Sequence, residues 1–161
     1  KQGKNIVFTS LWDNYPNAVD IKLSGKATNA YLMMAGSTNH MQSHIANGIV
    51  TVHYKDGSSV EVELINPDNW CPIEQDLFGD DHAFSIKGER PYRVHLNSGL
   101  ISNNLEKELK ISGVYGRSID GGAGVLMDIP LNPAKKLSHI SLRTLSNDVV
   151  IGLMSVTLQR P

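Results

Sequence analysis

The sequence predicts an all-β fold: one two-sheet antiparallel β-sandwich, a jelly roll, spanning residues 1–161. Three observations carry this. Short apolar runs with period-two alternation recur along the chain, separated by turn residues. Lys55-Asp56-Gly57-Ser58 stands between two such runs, and Asp-Gly in that setting is the strongest short hairpin signal. Helical periodicity is scarce, and nine or ten short strands fit a sandwich better than any helical layer.

In chain order, strands are expected at Asn5–Thr9, Val19–Leu23 and Ala30–Ala35. Next comes the hairpin. Val50, Val52 and Tyr54 alternate with Thr51 and His53, and Val60, Val62 and Leu64 alternate with Glu61 and Glu63. A type I′ turn at Asp56-Gly57 is expected, with His53, Glu61 and Glu63 on the solvated face. Further strands are expected at Tyr92–Leu96, Leu109–Val114, Gly124–Ile129 and Leu137–Thr144. In the last, Ile140 and Leu142 share a face with Ser138 and Thr144. Leu100–Leu109 holds the best helical candidate, one turn opened by Asn103, Asn104 and Glu106. Val149–Leu158 (VVIGLMSVTL) reads as apolar on both faces. Such a strand is covered on both faces, so a second sheet, a long loop or a neighbouring domain is expected over its outer side.

About 25 residues from Asn66 to Pro91 show no strand pattern, longer than ordinary loops in compact domains. Trp70, Cys71, Phe78 and Phe84 should pack this segment. Asp68, Glu74, Asp76, Asp80, Asp81 and Glu89 load it with carboxylates against Lys87 and Arg90.

Composition narrows the function. Net charge is −1, and Lys and Arg are scattered, Lys135-Lys136 being the one adjacent pair noted. No basic stripe for nucleic acid is visible, and no nucleic-acid partner is expected. No apolar run reaches the ~20 residues of a membrane-spanning helix, so membrane insertion is not expected. The single cysteine, Cys71, rules out an internal disulfide and reads as an inert packed thiol. The start Lys1-Gln2-Gly3-Lys4 reads as a piece of a longer protein or a mature chain.

The candidate site residues lie in two loops. Trp12-Asp13-Asn14-Tyr15-Pro16 has the chemistry of sugar binding. A ring covers the C–H face of a pyranose while side-chain oxygens and nitrogens take its hydroxyls. The alternative is a tryptophan plugging the end of the sandwich above an ordinary turn. Trp70 with Glu74 and Asp76 is the second locus. Two loop carboxylates are acid/base chemistry for glycoside hydrolysis, calcium-ligand chemistry, or a solvated loop. The acids match no EF-hand order, and no cofactor is expected. His40 and His44, four apart, would share a helix face and could hold zinc, but no helix is evident and the metalloprotease glutamate is missing. Gly113–Gly116 and Gly121–Gly124 lead into no Gly-Lys-Ser/Thr helix start, so they read as turns.

Four stretches carry a family resemblance: Thr9–Pro16, Ala35–Ser43, Asn66-Pro67 through Trp70–Asp76, and Leu145–Met154. Together they resemble the C-terminal β-sandwich domain, galactose-binding-like, of an uncharacterised, glycoside-hydrolase-like family of large Bacteroidetes proteins. Where that family places a second aromatic after Trp70, this chain has Cys71. The resemblance implies a noncatalytic accessory module of a periplasmic or extracellular bacterial protein acting on polysaccharide. It implies oligosaccharide or polysaccharide and the parent's catalytic domain as partners. Trp12 and Tyr15 would stack on sugar, with Asp13, Asn14, Trp70, Glu74 and Asp76 near them. Two other expectations stand beside it. The domain packs on a helical barrel without touching sugar, or it is itself a glycosidase using Glu74 or Asp76.

Overall fold

Alternation becomes sidedness wherever a strand has one wet and one dry face. The computed structural model describes residues 5–76, 85–86, 88–112 and 117–160. Among them the strands are β1 Val7–Ser10, β2 Ala18–Lys22, β3 Asn29–Ser37, β4 Ala46–Tyr54, β5 Ser59–Ile65, β6 Arg93–His95, β7 Ile101–Ser102, β8 Ala123–Pro130, β9 Leu137–Thr144 and β10 Val150–Gln159. They form a six-stranded sheet ordered β1-β10-β3-β8-β6-β7 and a four-stranded sheet ordered β2-β9-β4-β5. Every strand pairing is antiparallel. The all-β two-sheet sandwich is therefore the fold.

The core lies between the sheets. From the four-stranded sheet come two lateral rows, Val19–Leu142–Val50–Val62 and Ile21–Ile140–Val52–Val60. From the other sheet come Leu32, Met34, Val125, Met127, Ile129, Ile151 and Leu153. Each fully buried aliphatic side chain contributes about 1.5–3 kcal/mol. One hydroxyl pair also crosses the layers, Thr144 Oγ1 donating to Thr9 Oγ1 at 2.8 Å.

The β4–β5 hairpin forms, with Gly57 N–H closing on the Tyr54 carbonyl. Only Gly57 in this turn has positive φ, so it is not type I′. The connection is four residues long and places its glycine after the turn, as longer hairpin loops do.

Val149–Leu158 is corrected more deeply. The pairing of β10 with β3 slips between Leu153 and Ser155, a β-bulge. The extra residue shifts the side-chain phase by one. Ile151 and Leu153 before it, and Val156 and Leu158 after it, consequently all meet the same core. The two-faced pattern thus needs no cover over an outer face.

The Leu109–Val114 strand is absent over residues 109–112. One helical turn, α1 (Leu105–Glu108), forms instead, with the Asn104 side chain accepting from Lys107 N–H. Its end uses the next backbone groups: Ile111 N–H bonds to Glu106 O and Lys110 N–H to Lys107 O, with Lys110 at φ 55°. This is a Schellman cap with lysine in the usual glycine position. Phe78, Asp80, Asp81, Phe84, Lys87 and Gly113–Gly116 lie outside the described residues.

The described start of the long connection is packed, as expected. Ile73 N–H bonds to Gly36 O, Ala123 N–H to Ile73 O, Ile119 N–H to Glu74 O and Asp76 N–H to Arg117 O. Buried Arg93 points inward from β6. Its guanidinium donates to the carbonyls of Pro72 (2.7 Å), Gln75 (2.8 Å) and Ala123 (3.0 Å).

Candidate functional site

The β1–β2 loop is a small closed unit. Ser10 N–H bonds to Pro16 O, Tyr15 N–H to Trp12 O, and Trp12 N–H reaches Ser10 Oγ. Ser10 Oγ itself donates to Val149 O at 2.7 Å, which fastens the loop to the start of β10. These bonds hold up two exposed rings, Trp12 at 49% and Tyr15 at 39% exposure. Their centroids are 6.2 Å apart and inclined by 62°. Asp13 and Asn14 stand between them, both exposed, with side chains engaged in no hydrogen bond among the described residues. Trp12 is thus not a plug for the sandwich end.

Trp70 is different: it has no exposed surface. Its ring lies beneath Gly36, where a Cβ would stand 2.8 Å from the indole and collide with the Val150 carbonyl. Glycine lets β3 pass over the ring. A ring without an open face cannot stack on a ligand, so in this structure Trp70 supports the loop and offers no platform. Cys71 beside it is buried, and burial pushes its thiol up to about 11. That is an inert thiol.

Glu74 is exposed and accepts from Ser37 Oγ at 3.4 Å, whereas Asp76 is buried. Strand register relates the two loci. Ser10 pairs with Val150, and Val150 pairs with Ser37. Glu74 therefore sits two strand spacings from Ser10, roughly 10 Å along the same end of the sheet. The fold brings the Trp12 loop and Glu74 to one end, with Trp70 and Asp76 buried beside them.

Two other polar clusters are bound up in internal hydrogen bonds. A cavity of about 470 Å³ is bounded by His95, Leu109–Ser112 and Arg117–Asp120. His95 contacts Ser98 Oγ and Asp120 O, both at 2.8 Å, and Arg117 donates to Asp76 O and pairs with Glu106. On the outer face of the four-stranded sheet, Ser141 Oγ donates to Asp20 at 2.6 Å and contacts His53 Nε2 at 3.1 Å. The hydroxyl directs its hydrogen at Asp20 and not at His53, the reverse of a serine activated by a histidine base. His40 opens a single 3₁₀ turn, His40–Gln42, and His44 lies beyond its end at φ 58°, so no helix pairs them. Among the described residues no group of three or more His, Cys, Asp or Glu side chains is placed to hold a metal.

Neither protein-family models, nor curated proteins, nor solved structures give a match to this chain. What the molecule is therefore rests on its own geometry: a two-sheet antiparallel β-sandwich with an aromatic loop at one end. Sequence reasoning passed over Arg93, which ties the candidate loop to β8. The available signal was an arginine at the inward parity of the Tyr92–Leu96 alternation.

Proposed function

We propose that this sandwich is a noncatalytic carbohydrate-binding or accessory module of a polysaccharide-degrading, glycoside-hydrolase-like bacterial protein, periplasmic or extracellular. One observation carries the reading. Trp12 and Tyr15 are exposed on a loop whose backbone is already fixed, with an unengaged carboxylate and amide between them. Exposed rings normally cost free energy in water, and a prearranged ring spends little entropy on binding. Pyranose C–H faces suit such rings, and Asp13 and Asn14 suit its hydroxyls. The resemblance in Thr9–Pro16 and Trp70–Asp76 points to the same substrate class. The test is a glycan array followed by titration calorimetry on Trp12→Ala. Affinity for the bound glycan should fall about tenfold or more, in the range of one lost stacking contact. Unchanged affinity would remove the site.

A second reading has its own observation. Phe8, Gly152 and Ala35 are paired in one lateral row on the outer face of the six-stranded sheet. Gly124, Val94 and Ile101 pair in a second apolar row, one residue beyond the Met34–Val125 pair that joins β3 to β8. Both rows are apolar; Gly152, Ala35 and Gly124 are buried in their middle, and Phe8 (39%) and Ile101 (55%) are exposed at the two ends. A domain that packs on a helical barrel without binding sugar would use such a face.

A further inference from the structure

At the end of the sandwich opposite the Trp12 loop, the fold assembles a cationic surface from scattered residues. The β2–β3, β4–β5 and β8–β9 connections meet there. Leu23 N–H bonds to Ser138 O, Lys55 N–H to Lys136 O and Leu137 N–H to Gly25 O. The end of β10 joins them as Arg160 Nη1 donates to Ser24 O and Lys26 O. Lys22, Lys26, Lys55, Lys135, Lys136 and Arg160 are thereby brought to one end.

Of the neighbouring acids one is charge-paired and two accept neutral hydrogen bonds, among them Asp20 at the rim of a concavity. Asp20 accepts from Ser141 at 2.6 Å, Asp56 pairs with Lys135 at 2.9 Å, and Asp128 accepts from Asn29 at 2.7 Å. The Ser58 hydroxyl, and after it Lys135, hold the Asp56 carboxyl well below the usual carboxylate range. Lys22, Lys26, Lys55 and Lys136 are exposed, and none has a side-chain partner among the described residues.

These lysines also border a concavity. A space of about 450 Å³ is lined by Asp20, Lys22, Leu23, Lys55, Ser138 and His139. Its volume lies within the ~300–1,000 Å³ of small-ligand sites. The His139 ring is fixed by stacking on His53, with centroids 4.1 Å apart and planes within 11°. Its Nδ1 faces Ser138 Oγ at 3.1 Å, which leaves Nε2 as the open nitrogen.

We infer that this cavity binds an acidic saccharide, its carboxylate or sulfate ester seated between Lys22 and Lys55 while Ser138 and His139 take hydroxyls. The inference rests on the saccharide reading above for its ligand class and uses none of the same residues. Two unpaired ammonium groups beside one concavity are a charge-assisted site for a single anion. A nucleic acid fits less well. Among the described residues the exposed Phe, Trp and Tyr rings, Phe8, Trp12, Tyr15 and Tyr92, all lie elsewhere, and His139 is the one ring lining the cavity, short of the row of rings that successive bases stack on.

The experiment measures binding of the whole chain to polygalacturonate, chondroitin sulfate, a neutral galactan and a DNA oligomer of matched charge. Wild type, Lys22→Ala/Lys55→Ala and Trp12→Ala are compared. Both lysines are exposed, so the double variant leaves the core intact. The expected result is binding to at least one acidic glycan, weakened about tenfold or more in the lysine variant and steadily weakened by added salt. Trp12→Ala should retain that salt-sensitive binding. Equal binding of Trp12→Ala to the neutral galactan, salt independence of the acidic-glycan binding, an unaffected lysine variant, or DNA binding as tight as the glycan would each overturn the inference. Loss of neutral-glycan binding in Trp12→Ala alone would uphold the aromatic site while the lysine site fails, so the two failures are separable.

Discussion

The outer faces of the two sheets follow the same period-two rule and end in opposite chemistry. On the four-stranded sheet the outward rows read Ala18–Arg143–Ile49–Glu63, Asp20–Ser141–Thr51–Glu61 and Lys22–His139–His53–Ser59. Polar side chains dominate, and they bond to one another across strands. On the six-stranded sheet Phe8–Gly152–Ala35 and Gly124–Val94–Ile101 are apolar outward rows, with Met33 and Leu126 paired beside them, while the outward row Thr157–Tyr31–Asp128 toward the other end is polar. The Phe8 ring lies over Gly152 and the Met33 side chain over Gly124. Side chains folded over glycines cover part of an apolar face, but not its ends. The four-stranded face is mostly polar, while the six-stranded face leaves Phe8 and Ile101 exposed. Folding alone does not require that asymmetry, because the core is complete without it.

The largest expected effect tests whether the outer rows matter less than the inner ones. Leu142→Ala removes a fully buried side chain from the shared core and should cost about 2–5 kcal/mol in urea unfolding. Its neighbour Ser141→Ala, which loses one outward hydroxyl, should cost about 0.5–1.5 kcal/mol. Similar losses for the pair would erase the distinction between the two sides of β9.

A middle effect sharpens the contrast between the faces. Phe8→Ser/Ile101→Ser should change stability by only about 1–2 kcal/mol, since both side chains are already partly wet. If the second reading holds, the same variant should weaken association with the parent's helical barrel at least about tenfold in a pull-down titration. Association indifferent to both substitutions would leave the apolar rows without a docking role.

The smallest effect concerns acid. Burial works to raise the Glu106 carboxyl, but Arg117 and Arg90 outweigh it and hold it below the usual range. A depressed carboxylate contributes stability above its unfolded pKa, about 4.3, and loses it as pH falls through the lower folded value. Stability should therefore decline from about pH 4 downward. Glu106→Gln should flatten that limb in pH-dependent thermal melts. An unchanged acid limb would assign the decline to other carboxylates, Asp56 among them.

The candidate site was half legible in the sequence. The Trp12 loop was readable because its chemistry and its closure are both local: Ser10, Trp12, Tyr15 and Pro16 fasten one another within seven residues. Trp70 was not, because its burial depends on Gly36, which lies on another strand and leaves room for the ring. Glu74 and Asp76 are two residues apart yet differ in exposure, since Asp76 is enclosed by distant Arg117. In the same way the β10 pattern was legible as strand but not as sidedness. Its bulge exists only in the pairing with β3.

By itself the sequence determined the all-β class, nearly every strand, the hairpin at Gly57, the capped turn at Asn104 and the inward sets on β4 and β9. These follow from neighbour-to-neighbour periodicity and turn stereochemistry, which the chain carries locally. Only the tertiary structure decided the phase shift in β10, the burial of Trp70, the apolar rows on the six-stranded sheet and the union of Lys22, Lys55 and Lys136 at one end. Each of those depends on which distant strands become partners. Burial and electrostatic fields are sums over neighbours in space, and sequence spacing does not specify them.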